Sequence, residues 1–263
     1  MLSPDENEQI DIADLPGVKA VATGVLGEGS CFFHSVILGL SPSEYLGLPR
    51  ADRTEYAGKL RGIIADGITV DYWLGLESTQ IYLAENIRVI LTSLSTNKTY
   101  KKKSSIIDAI KASPDFVPPQ SAESIDAFVS SIALVINDIA VFRAKLTEFI
   151  ISRQVADAIV DKLVEHGYNL FVRLIRNVYT DIGDGEFGFI AEKFHVFLIF
   201  INPDGSMYKY GATKADLGRS EKVLIIKYIP GHFENIGLVV GNTIHRSFDK
   251  SDPIIAPLLA VAI

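Results

Sequence analysis

The apolar positions of this chain follow one spacing from Cys31 to Asn177 and another from His195 to Ser247. In the first stretch they recur at helical intervals. Phe32, Phe33, Val36, Ile37 and Leu40 predict a helix over Cys31–Leu40 that is apolar nearly all round and therefore buried, with Ser41-Pro42 ending it. Asp52 to Ile68 predicts an amphipathic helix with Tyr56, Leu60, Ile63 and Ile64 turned inward. Thr69 to Trp73 opens another helical stretch, and Glu77 to Leu94 continues the pattern through Ile81, Leu83, Ile87 and Ile90. Asn97 to Lys103 is a basic, exposed connection, and Pro114 to Gln120, with Pro118-Pro119, is the clearest internal break. Helical spacing resumes from Ser121 to Asn177, punctuated near Ser152 and at Gly167, with Arg153, Asp157, Asp161 and Lys162 on exposed faces.

Past Gly183-Asp184-Gly185 the pattern shortens. Phe187 to Phe194 predicts a short helix, and the unbroken apolar run His195 to Ile201 predicts a buried strand. Asn202-Pro203-Asp204-Gly205 has the residues of a turn. Met207–Tyr210, Val223–Tyr228 and His232–Val240 predict further strands, with Pro230-Gly231 as a break and Gly241-Asn242 as a hairpin turn into Thr243–Ser247. Ahead of all this, 1–17 reads as a polar arm ending at Pro16-Gly17, and Val18–Leu26 as a short strand or an extended lead-in. The expected fold class is α/β (α+β): helices flanking a small central sheet, in one domain over 18–263.

Composition narrows the function classes. A chain of 263 residues that is 48% hydrophobic and 22% charged buries a sizeable core. The net charge of -7 argues against nucleic acid as a partner and suits basic substrates or segments. A single cysteine makes no internal disulfide, which places the expectation in a reducing compartment, the cytoplasm. The start, Met1 to Glu8, is acidic where a signal peptide is basic and then apolar. No apolar run reaches the roughly eighteen residues that a membrane span needs, so no membrane association is expected. The apolar tail from Pro253 to Ile263 is expected to pack on the core.

The chemistry centres on that cysteine. Cys31 follows Gly27-Glu28-Gly29-Ser30 and opens the first helix. A free thiol is mostly protonated at neutral pH, and a helix N-terminus stabilises its thiolate through unpaired amides and the helix dipole. The glycines let the backbone turn tightly and aim N–H groups at a developing oxyanion. Far along the chain, Gly231-His232-Phe233-Glu234-Asn235 supplies a base. On a regular strand Glu234 shares a face with His232 and could orient it, while Asn235 is the weaker candidate on the other face. His34 reads as a packing residue, His195 as a satisfied core group, His166 as a helix-end residue before Gly167, and His245 as exposed. No histidine pair has metal-ligand spacing, and Gly27-x-Gly29 lacks the third glycine of a dinucleotide loop, so neither metal nor cofactor is expected.

These segments resemble the ovarian-tumour (OTU) family of cysteine proteases, most of which are deubiquitinases. The family's Asp-Gly-Asn/Ser-Cys-aromatic/Leu-Phe motif is matched by Glu28-Gly29-Ser30-Cys31-Phe32-Phe33, and its His-Tyr/Phe-acid/Asn motif by His232-Phe233-Glu234. Gly188 to Glu192 followed by a strand is similar to the helix that feeds the family's central sheet. The wording Gly29 to Ser35, with Asp71-Tyr72-Trp73 downstream, looks most like viral or intracellular-bacterial members. The resemblance implies a papain-type fold and a thiol isopeptidase that cuts after the C-terminal glycine of ubiquitin or a ubiquitin-like modifier. Cys31 would be the nucleophile, His232 the base, Glu234 or Asn235 the third member, and Glu28-Gly29-Ser30 the oxyanion loop. It implies ubiquitin or polyubiquitin as partner, a monomer, and the host cytosol if the source is a virus or an effector. Helical residues from about 77 to 180 match nothing in the family and read as an insertion. Two residues depart from the pattern: Glu28 replaces aspartate, and Glu234 stands where the family has Asp or Asn. A non-catalytic ubiquitin-binding module and a viral polyprotein protease are the competing readings.

Overall fold

In a computed structural model the described residues are 5–15, 17–95, 122–150, 152–180, 184–202, 204, 206–208 and 214–262. The expected connection Asn97–Lys103, the break Pro114–Gln120, and Gly183, Pro203, Gly205 and Tyr210 lie outside them. The protein has the expected mixed class: helices accompany a mainly antiparallel sheet. It divides into two compact units, one of Met1–Asp66 with Leu174–Ile263 and one of Gly67–Arg173.

The first unit holds the sheet. Its strands are β1 (Gln9–Leu15), β2 (Val18–Thr23), β3 (Val196–Ile201), β4 (Met207–Tyr208), β5 (Lys222–Ile229), β6 (His232–Val240), β7 (Thr243–His245) and β8 (Ser247–Phe248). The order is β1-β2-β6-β5-β3-β4, with β7 on β6 and β8 on β5. Among the described strands only β3 and β5 run parallel, in register from Val196 opposite Lys222 to Ile201 opposite Lys227. Interior β3 is buried at every residue, which is why it reads as an unbroken apolar run.

Alternation along the strands gives the sheet two unlike faces. Ala20, Ala22, Ile199, Ile225, Ile236 and Leu238 form one aliphatic face, with Leu258 and Leu259 of the C-terminal helix (Ala256–Ala262) packed into the same cluster. The opposite face carries helix α1 (Cys31–Leu40), whose residues Cys31 to Gly39 are all buried. Phe32 stacks on Phe187 with ring centroids 4.6 Å apart and meets Phe233 edge-on at 5.5 Å. Burying one such ring is worth about 2–3 kcal/mol. At Gly39 a Cβ would come within 2.9 Å of both Leu224 and Asn235, so glycine lets α1 sit this close to β5 and β6.

Behind α1 come α2 (Pro42–Gly47) and α3 (Arg50–Asp66). The buried face of α3 is Arg53, Ala57, Arg61, Ile64 and Ala65. Tyr56 and Ile63, expected inside, are 40% and 68% exposed: two arginines occupy the inward register because acceptors for them wait there.

The expected polar arm contains β1, which among the described residues is an edge strand paired with β2, from Gln9 opposite Thr23 to Leu15 opposite Val18. His195, expected as a core group, is exposed and adopts a left-handed φ of 54° just before β3.

The second unit is helical: α4 (Val70–Gly75), α5 (Glu77–Ser95), α6 (Ala122–Ile132), α7 (Ile139–Ile150) and most of α8 (Arg153–Arg176). The Thr69 side chain caps α4 by accepting from the Tyr72 amide at 3.1 Å. Helix α8 runs straight through Gly167, so His166 is mid-helix rather than at a helix end. A Cβ on Gly167 would lie 2.6 Å from the rings of Trp73 and Tyr82; the glycine is a seat for aromatic packing, not a break. Ile81, expected inward on α5, is 55% exposed. Among the described residues no helix is long and apolar enough to cross a membrane.

Candidate active site

The cysteine enters its helix from a tight turn. The Gly29 amide donates to the Gly27 carbonyl at 3.0 Å, and Gly29 adopts a left-handed φ of 76°. A Cβ there would lie 2.5 Å from the Tyr179 carbonyl carbon, so both conformation and space demand glycine. Ser30 stands at the N-cap position of α1 but makes no side-chain cap. Its Oγ instead donates to the Val178 carbonyl at 2.7 Å. The first turn of α1 carries no acidic residue either. The positive end of the helix is thus left uncompensated by its own side chains at Cys31, its first residue. Cys31 is 2% exposed.

Glu28 is pinned outward from the same turn. Arg50 donates to its Oε1 and Thr54 to its Oε2, both at 3.1 Å. The extra methylene relative to aspartate is spent on reaching α3. Arg61, on the buried face of α3, donates from Nη1 to the Gly29 carbonyl and to Ser30 Oγ, both at 3.0 Å. Nothing in the sequence motifs marks Arg61. The available signal is its register, i and i+4 from Ala57, on the side of the helix that also carries Ile64.

His34, one turn into α1, is fully buried with no hydrogen-bond partner for either ring nitrogen among the described residues. Burial pulls its pKa down to about 4; Glu28 opposes that shift, and Arg53 and Arg61 reinforce it. It is a neutral packing group at pH 7.

His232 is the first residue of β6 and is half-buried. Its ring lies against the turn that leads to the cysteine: a Cβ on Gly27 would be 3.9 Å from both Cε1 and Nδ1. Glu234 follows two residues on, on the same side of the strand, and is fully buried. Lys227 of β5 sits opposite Glu234 in register and donates from Nζ to Glu234 Oε2 at 3.2 Å, itself only 2% exposed. Lys227 interrupts the apolar run Val223–Ile226, and that interruption is the one trace it leaves in the sequence. Asn235 points to the α1 face: its Nδ2 donates to the Ser35 carbonyl at 3.2 Å and its Oδ1 accepts from Arg246 at 3.1 Å.

A solved OTU domain in complex with ubiquitin is similar to this chain. The two share 12% sequence identity with a TM-score of 0.41, over 98% of this chain and 90% of that one. No protein-family model matches the chain, and no curated protein matches it.

A cavity of about 520 Å³ lies elsewhere in the first unit, lined by Phe187, Ala191, His195, Leu198, Asp216 and Arg219 among others. Cys31, His232 and Glu234 do not line it.

Proposed function

We propose that the protein is a thiol isopeptidase acting at the C-terminal glycine of ubiquitin or a ubiquitin-like modifier. The observation that carries this reading is the pairing of a lone cysteine at the first residue of α1 with a histidine ring packed on Gly27 of the turn before it. The two motifs and their resemblance to the OTU family supply the modifier class. Cys31 loses its proton to His232 and attacks the glycine carbonyl; the collapsing intermediate expels the lysine amine, which takes that proton from His232. Water, deprotonated by His232, then releases the modifier from its thioester. Glu234 orients the imidazole and stabilises its charged form. Asn235 is read as a strut between α1 and Arg246. The reaction needs a reducing compartment, and a cytosolic location is proposed on that ground.

The burial of Cys31 at 2% exposure favours one other reading, a module that holds ubiquitin without cutting it. Incubation with ubiquitin bearing a thiol-reactive C-terminal warhead separates the two. A covalent adduct that disappears in Cys31→Ala is the expected result. Binding without an adduct means the module, and neither binding nor adduct means a different modifier or substrate.

A further inference from the structure

We infer that Arg61 is a positioning residue for this reaction, clamping the Gly29-Ser30 turn so that its peptide presents an N–H outward beside Cys31; the inference rests on the thiol-isopeptidase reading. Arginine has five N–H donors in a rigid fork, and here each has an oxygen. Nε donates to the Ile175 carbonyl at 2.6 Å. Nη1 takes the Gly29 carbonyl and Ser30 Oγ, both at 3.0 Å. Nη2 takes the Leu174 carbonyl at 3.0 Å and the Thr180 carbonyl at 2.9 Å. The residue is fully buried, and these five acceptors are uncharged.

Two features compensate the charge. Leu174 and Ile175 belong to the last turn of α8, at the negative end of the helix dipole, where the Leu174 carbonyl also accepts from the Asn177 amide at 3.2 Å. The guanidinium carbon also lies 5.0 Å from the centre of the Phe33 ring, one residue beyond Phe32 in α1.

Where the bonds fall matters more than their number. Two land on the pair of residues directly before Cys31. The other three fix the stretch Leu174–Thr180, whose Tyr179 backbone walls Gly29 at the distance of a missing Cβ. A trans peptide is planar, with its C=O and N–H pointing opposite ways. Holding the Gly29 carbonyl on Arg61 therefore directs the Ser30 N–H away from Arg61. That is the orientation a donor needs to meet an oxyanion formed at Cys31 rather than turn into the core. A flip of this peptide would strip Arg61 of the acceptor it has at Gly29. Lysine cannot replace the fork, because a single ammonium cannot span acceptors on Gly29, Ser30, Leu174, Ile175 and Thr180.

The test is steady-state cleavage of a fluorogenic ubiquitin C-terminal amide by the full chain, Arg61→Lys, Ser30→Ala and the double variant, with rates normalised to folded protein. Arg61→Lys should lower kcat about tenfold or more with KM nearly unchanged, as expected when transition-state stabilisation is lost rather than binding. Ser30→Ala should lower kcat less, and the double variant should lose less than the product of the two, because both changes act on one turn. Folded Arg61→Lys with wild-type kcat overturns the inference, as does a double variant whose losses simply multiply. Should Arg61→Lys fail to fold, Ser30→Ala decides: wild-type kcat there overturns it. Wild-type protein without turnover sinks the functional reading as well, whereas active wild-type protein with an unimpaired variant sinks only the role of Arg61.

Discussion

Of the cations buried in the sheet-bearing unit, Arg61 lies behind the cysteine turn and Lys227 beside the histidine strand, and these two are held by different chemistry. Arg61 is met by five uncharged oxygens, two of them from the end of a helix. Lys227 is met by the carboxylate of Glu234 across a strand pair. The fork of bonds on Arg61 fixes a shape, because each acceptor is a backbone or hydroxyl group whose position is set. The Lys227–Glu234 pair sets opposite charges against each other in the core, and removing one leaves the other buried without that partner. A nucleophile needs its turn placed; a base needs its partner kept ionised. The two halves of the candidate site should therefore fail differently.

The largest expected effect comes from breaking the pair. Lys227→Met leaves the buried Glu234 carboxylate without its cation and should cost about 3–5 kcal/mol of stability in urea unfolding. Adding Glu234→Leu should restore most of that stability while leaving turnover absent, since the orienting carboxylate is gone. A loss under about 1 kcal/mol would mean that the Lys227–Glu234 pair behaves as a solvated one and does not hold the Glu234 charge.

Acid sharpens the cysteine side. His34 has a folded pKa of about 4 against an ordinary 6.5, so the unfolded chain binds the proton more readily. Its contribution to stability is therefore full above about pH 6.5 and is lost as pH falls toward 4, by about 3 kcal/mol in all. His34→Phe should remove that component. The stability gap between the two proteins should move in favour of the variant as pH drops from 7 to 4.5, followed by thermal melts at each pH. A constant gap would mean that His34 is not buried as a neutral group.

The same contrast explains what could be read from the sequence. Cys31–Leu40 and His232–Val240 were legible to the residue because strong apolar spacing and flanking Ser-Cys or Pro-Gly signals agree there. Strand β1 was missed because its alternation, Gln9-Ile10-Asp11-Ile12, is brief and lies on a sheet edge where polar residues are tolerated. The inward face of α3 was misread because hydrophobic periodicity assumes that arginine points to water. Arg53 and Arg61 point inward for acceptors that lie on other segments: Glu6 and Asn7, with the nearer Leu46 and Leu48 carbonyls, for one, and Leu174, Ile175 and Thr180 for the other. Gly167 reads as a break in the sequence because nothing local shows that Trp73 and Tyr82 pack over it. Motifs located the chemistry; the groups that hold it are defined only by partners brought in by folding.

The smallest effect tests which side of β6 serves His232. Asn235 joins Ser35 of α1 to Arg246, a buried guanidinium, and Asn235→Ala leaves Arg246 short of an acceptor. Such a loss should cost about 1–3 kcal/mol. If the amide is a strut, the melting temperature falls while kcat per folded molecule stays near wild type, because Glu234 and the His232 side of the strand are untouched. Conversely, a collapse of kcat at an unchanged melting temperature would move the orienting role to Asn235. The Lys227–Glu234 pair would then be a feature of the core alone, and the histidine side of the site would, like the cysteine side, depend on neutral hydrogen bonds rather than on a buried charge.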